Sequence, residues 1–286
     1  MKLNRIIAGA AAVAISATGL VACGGNGGGD TIKVGTTDAS LKEWEVFEDL
    51  AKDKGIKVDV VNFSDYNTPN DALSQGEIDV NKFQHLQFLD NYNQGAGTEL
   101  KAISSGEIYP LALFWKDHSS LDGIEGQRVA IPNDATNQGR GINVLVQAGL
   151  LTLKKEGLLN PTPADIDTEA SKVEVVPVDA AQTTISYNEG LPAIINNSFL
   201  ERAGIDAKSA IFQDDPNSEL AEPYINVWVT TPEKAEDPKI KELAELWKDP
   251  AVTEAVVESS GGTAVPVDRT PEQLAAVLDR LKNETK

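Results

Sequence analysis

Residues 31–63 read T-I-K-V-G-T-T-D-A-S-L-K-E-W-E-V-F-E-D-L-A-K-D-K-G-I-K-V-D-V-V-N-F. An extended run over 31–37 is followed by Leu41, Trp44, Phe47, Leu50 and Ala51, which recur at the 3.6-residue period of a helix. Gly55 closes that helix, and a β-branched run over 56–63 makes a second strand. Pro69 suits the first turn of a further helix over 69–75, which Gly76 ends before a third strand at 78–80. Strand, helix, strand, helix, strand in immediate succession predicts a parallel sheet with right-handed crossovers.

A second series follows from about residue 119. Its parts are a strand at 128–131, a helix over about 137–154, a strand at 173–178, a helix near 180–188 and a strand at 192–197. Two long extended runs, 100–115 and 223–231, flank this series, and amphipathic helices follow at 237–248, 250–258 and 270–282. The pattern predicts an α/β, two-lobed fold with a hinge of two extended crossovers. Lobe 1 takes 31–111 plus 228–286 and lobe 2 takes 112–227; a single larger sheet is the alternative that periodicity leaves open.

The formal net charge of −19 argues against nucleic acid as a partner, because phosphate contacts need clustered Lys and Arg. Lys2 and Arg5 followed by the small and apolar run 6–21 read as a signal segment over 1–22. The run is too short and too rich in Ala, Gly and Ser for a membrane span. It ends in L-V-A-C (20–23), which looks like a bacterial lipobox, so Cys23 is the expected lipidation site; a plain signal peptide with an incidental cysteine is the alternative. Cys23 is the only cysteine, so no disulfide forms within the chain. Residues 23–30 then serve as a glycine-rich tether, and the expected location is the outer face of a cell membrane, held by lipid.

Chemistry-bearing motifs are sparse. Two histidines, His85 and His118, supply too few ligands for a zinc site, so no metal is expected. No G-x-S-x-G or S-x-x-K motif is present, no catalytic residue can be named, and no cofactor is expected. Acidic pairs such as Glu45/Glu48 and Asp214/Asp215 read as solvated. The turn in R-V-A-I-P-N-D-A-T-N-Q-G-R (128–140) has one glycine before its arginine, too few to cradle a phosphate. Asp134 or Thr136 suits the helix cap there. Arg140 lies opposite the apolar face of Ile142, Leu145, Val146 and Gly149, so it faces either water or a cleft. Tyr66, Phe83, His85, Asn196 and Asn226 all fall at or just past expected strand ends, where two-lobed α/β proteins gather ligands, although ordinary core or turn roles would also explain them.

F-S-D-Y-N-T-P-N-D-A-L-S-Q-G-E-I-D-V-N-K-F-Q-H (63–85), V-A-I-P-N-D-A-T-N-Q-G-R (129–140), A-G-L-L-T-L-K (148–154), A-I-I-N (193–196) and Y-I-N (224–226) carry a resemblance. Over about 31–262 the chain resembles the methionine-binding lipoproteins of ABC importers, the MetQ or NlpA lipoprotein family. That resemblance implies a periplasmic-binding-protein-like fold that closes on L-methionine or a close analogue and delivers it to a membrane permease with its ATPase. It implies that Arg140 pairs with the ligand carboxylate and that Asn196 and Asn226 hold its polar head. Tyr66, Phe83 and His85 would wall its thioether, with Asn137, Phe88 and Trp115 as a possible outer layer. Phe88 stands where a polar aromatic is expected, and the helix following residue 265 extends past the usual end. A surface interaction lipoprotein that has kept the fold is the alternative, as is a binding protein for another small amino acid or a methionyl peptide; an exported enzyme comes third.

Overall fold

The computed structural model describes residues 31–284. The expected signal segment, the expected lipidation site Cys23 and the expected tether lie outside the described residues. The first sheet begins as expected: β1 (Thr31–Thr36) pairs in parallel with β2 (Lys57–Asn62), across α1 (Lys42–Asp53), and with β3 (Val80–His85), after α2 (Pro69–Ser74). β3 starts at Val80, later than the I-D-V run suggested, and carries F-Q-H to the strand end. Next come α3 (Leu86–Ala96), β4 (Lys101–Ser105) and β5 (Glu107–Ile108).

The second sheet uses β6 (Ala112–Phe114), β7 (Arg128–Pro132), β8 (Glu174–Val178), β9 (Ala193–Ile195) and β10 (Phe212–Gln213), with α4 (Ala135–Gln147) and α5 (Thr183–Asn188) between them. Its order is β10-β6-β9-β7-β8, with β7 parallel to β8 and β9, and β6 antiparallel to β9. The helix at α4 starts two residues before the expected 137 and stops at Gln147, because Gly149 takes a left-handed φ of 68° that continues no helix. β11 (Asn226–Thr230) then returns to the first sheet, whose order is β2-β1-β3-β11-β4, and runs antiparallel to both β3 and β4. The sheet is therefore mixed rather than purely parallel, and the expected lobe division at 227/228 falls inside β11.

The chain thus has two α/β lobes. Its first crossover is extended through β5 to Leu111. The second reaches β11 through a 3₁₀ turn over Glu219–Tyr224, capped by Ser218 and holding Pro223. The crossovers bond to one another, since Leu111 N donates to Asp214 Oδ1 at 2.8 Å and Asp214 N donates to the Leu111 carbonyl at 3.2 Å.

Packing explains why β3 sits centrally. All six of its residues are buried, since helices cover both faces of the sheet. Its polar side chains find partners at once: Asn81 and Gln84 share the amide of Asn70, with bonds of 2.6 to 2.9 Å. Lys82 pairs with Glu107, whose other oxygen accepts from Trp247 Nε1 at 2.9 Å. Trp44, Phe47, Trp228 and Trp247 form an aromatic cluster beneath α1, with ring centroids 4.6 to 6.1 Å apart.

The C-terminal segment completes the first lobe. It adds α6 (Pro238–Leu246), α7 (Pro250–Ser259), β12 (Val265–Pro266) paired with β5, and α8 (Pro271–Glu284). Leu274, Val277 and Leu281 of α8 join Leu73, Leu86, Leu89 and Leu100 in one buried cluster. α8 is thus part of the first lobe's core. Leu274→Ala is expected to lower unfolding stability by about 2–5 kcal/mol, read by urea denaturation. An exposed control on the same helix, Glu272→Ala, should stay within about 0.5 kcal/mol of the parent.

Candidate functional site

The cleft side of α4 begins at Asp134, whose Oδ1 accepts the Asn137 amide hydrogen at 2.9 Å and caps the helix. Thr136 donates its hydroxyl to the same carboxylate at 3.0 Å and is not the cap. The glycine of N-Q-G-R serves close approach: a Cβ on Gly139 would meet the Asn160 Cα at 2.7 Å. Asn160 in turn accepts from Gln87 of the first lobe at 2.5 Å.

Arg140 faces the cleft and is 5% exposed. Its Nε and Nη2 donate to the two Asp214 oxygens at 2.7 and 3.1 Å, Nη2 also donates to the Tyr109 carbonyl at 2.9 Å, and the guanidinium lies 3.9 Å over the Tyr224 ring. A bidentate, charge-assisted fork and a ring face together hold the side chain rigidly. Among the described residues Nη1 makes no hydrogen bond, and Arg140 lines a cavity between the lobes.

That cavity is lined by Arg140, Asn196, Asn226, Tyr66, Phe83 and His85. Asn137 and Phe88 line it too, whereas Trp115 does not. Trp115 belongs to the second lobe's core, stacked on His118 at 3.4 Å with its Nε1 donating to the Gly190 carbonyl at 3.1 Å. It is buried one residue beyond β6, away from the residues that line this cavity.

The polar end is a chain of amides. Asn137 Nδ2 donates to the Asp134 carboxylate at 3.0 and 3.1 Å, and Asn137 Oδ1 accepts from Asn196 Nδ2 at 3.0 Å. Asn196 Oδ1 at the end of the chain is buried and has no hydrogen-bond partner. Asn226 is the first residue of β11, not the end of a strand as the sequence suggested; because β11 is antiparallel to β3, it still stands beside His85 at the cleft edge.

The apolar end is aromatic. Tyr66 lies 5.9 Å from Phe83 and 6.1 Å from Phe88, and Phe83 lies 5.8 Å from Phe88. Phe199 adds a fourth ring 4.9 Å from Tyr66. Burial holds the Tyr66 phenol well above its usual range, so it stays neutral.

His85 joins the lobes. Its Nδ1 accepts the Phe88 amide hydrogen at 3.1 Å, capping α3, which leaves the hydrogen on Nε2 to donate to Asn137 Oδ1 at 3.3 Å. Burial, then the nearby Arg140 charge, pushes its pKa down to about 3, so the imidazole is neutral.

Asp214 is not solvated as its sequence setting suggested. Its side chain is 13% exposed and committed to Arg140, whereas Asp215 beside it is exposed and bonds only within its own turn. The Arg140–Asp214 pair spans 74 positions, and no local pattern in F-Q-D-D-P marks which aspartate turns inward. No group of three or more His, Cys, Asp or Glu suited to a metal occurs among the described residues. No helix among them is long and apolar enough to cross a membrane.

Two α/β lobes with a cavity between them make a periplasmic-binding-protein-like fold, and the family and relatives that match are transporter binding proteins, not enzymes. The chain belongs to the NlpA lipoprotein family, whose profile matches residues 32–268; the match takes in β12 and stops before α8. It is 36% identical over 240 residues to the D-methionine-binding lipoprotein MetQ of Escherichia coli K12, covering 82% of this chain and 87% of that one. The substrate binding protein of a methionine transporter from Streptococcus pneumoniae superposes with a TM-score of 0.76 at 31% identity, covering 83% of this chain and 95% of that one. A nutrient binding protein from Burkholderia cenocepacia bound to methionine gives 0.75 at 30% identity, covering 82% and 99%.

The buried His85 has a consequence for stability. Its folded pKa near 3 lies below the unfolded value near 6.5, so the unfolded chain takes up the proton first. Its contribution is complete above pH 6.5 and is lost as pH falls toward 3, at up to about 1.4 kcal/mol per pH unit. Glu43, buried beside Ser259 with its pKa pushed up to about 7, acts in the opposite sense between 4.5 and 7. The difference between parent and His85→Gln isolates the histidine: urea denaturation at pH 7 and pH 5 should show the parent losing more stability than the variant on acidification.

Proposed function

We propose that this protein binds L-methionine, or a close analogue, between its lobes. The observation that carries the reading is the buried, unpartnered Asn196 Oδ1, whose residue lines the same aromatic-walled cavity as Arg140. An acceptor and a cationic donor in one cavity match the ammonium and carboxylate of a free amino acid. Asp134 polarises Asn137, and Asn137 polarises Asn196, so the terminal amide oxygen is a better acceptor than an isolated amide. Asn226 supports the same polar head.

The rings of Tyr66, Phe83 and Phe88 suit a linear thioether, for which sulfur–ring contacts add about 0.3–1.5 kcal/mol to burial. His85, neutral and held by Asn137, adds an edge to this wall without adding charge. The relatives support the reading: one is named for D-methionine, one belongs to a methionine transporter and one is described as bound to methionine. Delivery to a membrane transporter is supported by the relative from a methionine transporter, and its permease and ATPase are what the motif resemblance implies. Anchoring through lipid on Cys23, outside the cytoplasm, follows from L-V-A-C and from the family's lipoprotein name. The space between the lobes is about 40 Å³, less than a methionine needs, so binding requires the lobes and the lining side chains to move apart; the orphaned Asn196 Oδ1 is what favours a ligand over the interaction-lipoprotein alternative.

Titration calorimetry of the soluble body against L-methionine, its D-form, its sulfoxide and methionyl dipeptides tests the proposal. Binding of L- or D-methionine is expected, and absence of heat with all four would sink it. Arg140→Ala should weaken binding by about tenfold or more, the loss of one charged hydrogen bond. Asn196→Ala is expected to act in the same direction, while Trp115→Phe should leave affinity within about twofold of the parent.

A further inference from the structure

The charge layout around Arg140 restricts what the cavity accepts. Among the described residues no Asp or Glu side chain lines it, and Arg140 is its only lysine or arginine. Asp214 stands behind that cation and takes the Nε/Nη2 edge with both of its oxygens. It is anchored there by the Leu111 amide, so it cannot turn away without breaking the contact between the two crossovers.

We propose that Asp214 is the charge selector of the site: by neutralising Arg140 from behind, it confines the cavity to amino acids that keep both ammonium and carboxylate, and it turns away ligands of net negative charge. The inference rests on the amino-acid reading of the cavity. A buried guanidinium without a partner would draw in any small anion, because an unpaired charge at low exposure is costly. With Asp214 in place, the ligand carboxylate is attracted by Arg140 and repelled by the carboxylate behind it. The ligand ammonium feels both in the opposite sense, so a zwitterion loses little. A ligand lacking the ammonium keeps the repulsion and also leaves Asn196 Oδ1 buried without a donor.

The test compares methionine with 4-(methylthio)butanoate, the same molecule with hydrogen in place of the ammonium and therefore smaller than the amino acid. Calorimetry is run on the parent, Asp214→Asn, Asp214→Ser and Asp214→Glu. In the parent, the butanoate should bind far more weakly than methionine. In Asp214→Asn the ratio of the two dissociation constants should fall at least about tenfold toward the anion, the size of one unit-charge interaction at an intermediate distance. Asp214→Ser gives the same reading if the asparagine variant does not fold, and Asp214→Glu should keep the parent's ratio even if both affinities drop.

A ratio unchanged within about twofold in the folded neutral variants overturns the proposal and leaves Asp214 a brace for Arg140. Failure of the parent to bind any form of methionine is a different result: it removes the amino-acid reading, and this inference with it.

Discussion

A guanidinium buried to 5% exposure must be paired, and the pairing of Arg140 with Asp214 organises much of what surrounds the cleft. The arginine comes from the second turn of α4 in the second lobe, and the aspartate from the start of the return crossover. The Tyr109 carbonyl and the Leu111 amide, both on the outgoing crossover, complete the coordination of the pair. One ion pair therefore fastens the second lobe to both connecting segments. It also settles which edge of the guanidinium is left over. A flexible, solvated arginine could greet a ligand from many directions; this one presents a single nitrogen along a fixed line.

On the same lobe, the start of α4 achieves order with amides instead of charges. Asp134 performs two tasks, capping α4 and orienting Asn137, and the second passes along to Asn196. Asn137 also receives the His85 hydrogen, so the helix start of one lobe is tied to the strand end of the other through neutral groups. Keeping that histidine uncharged matters because a second cation beside Arg140 would repel it in a region of low exposure. Further contacts ring the cleft, including Gln87 with Asn160 and Ser40 with Glu201 at 3.0 Å. These bonds would break on opening, so a ligand that spans the lobes must outweigh water's claim on the same groups.

The sequence made most of the architecture legible, because periodicity is a local property. Trp44, Phe47 and Ala51 announce α1 by spacing alone, and Gly55 ends it. The boundary of β3 was less legible, since its six residues are buried on both faces and no alternation marks where it begins. Arg140 was ambiguous for a related reason: helical phase separates a core face from everything else, but it does not separate water from a cleft. Its position in the family's motif pointed to the cleft, where the structure also puts it. Trp115 packs in the second lobe's core instead of lining the cavity, since an aromatic one residue past a strand can turn toward either side of the sheet. Asp214 was invisible because its partner is distant in sequence and its neighbour, Asp215, has the same chemistry.

The place of β11 in the first sheet reaches beyond the resting structure. This strand lies between β3 and β4, yet it follows the whole second lobe in the chain. Until residues 226–230 are available, β4 has no partner joining it to β3, and the cluster beneath α3 lacks Val227 and Val229 as well as α8. The first lobe is thus the earliest to emerge and the last to be finished. Its assembly depends on pairing residues far apart in sequence, the slow kind of step in folding.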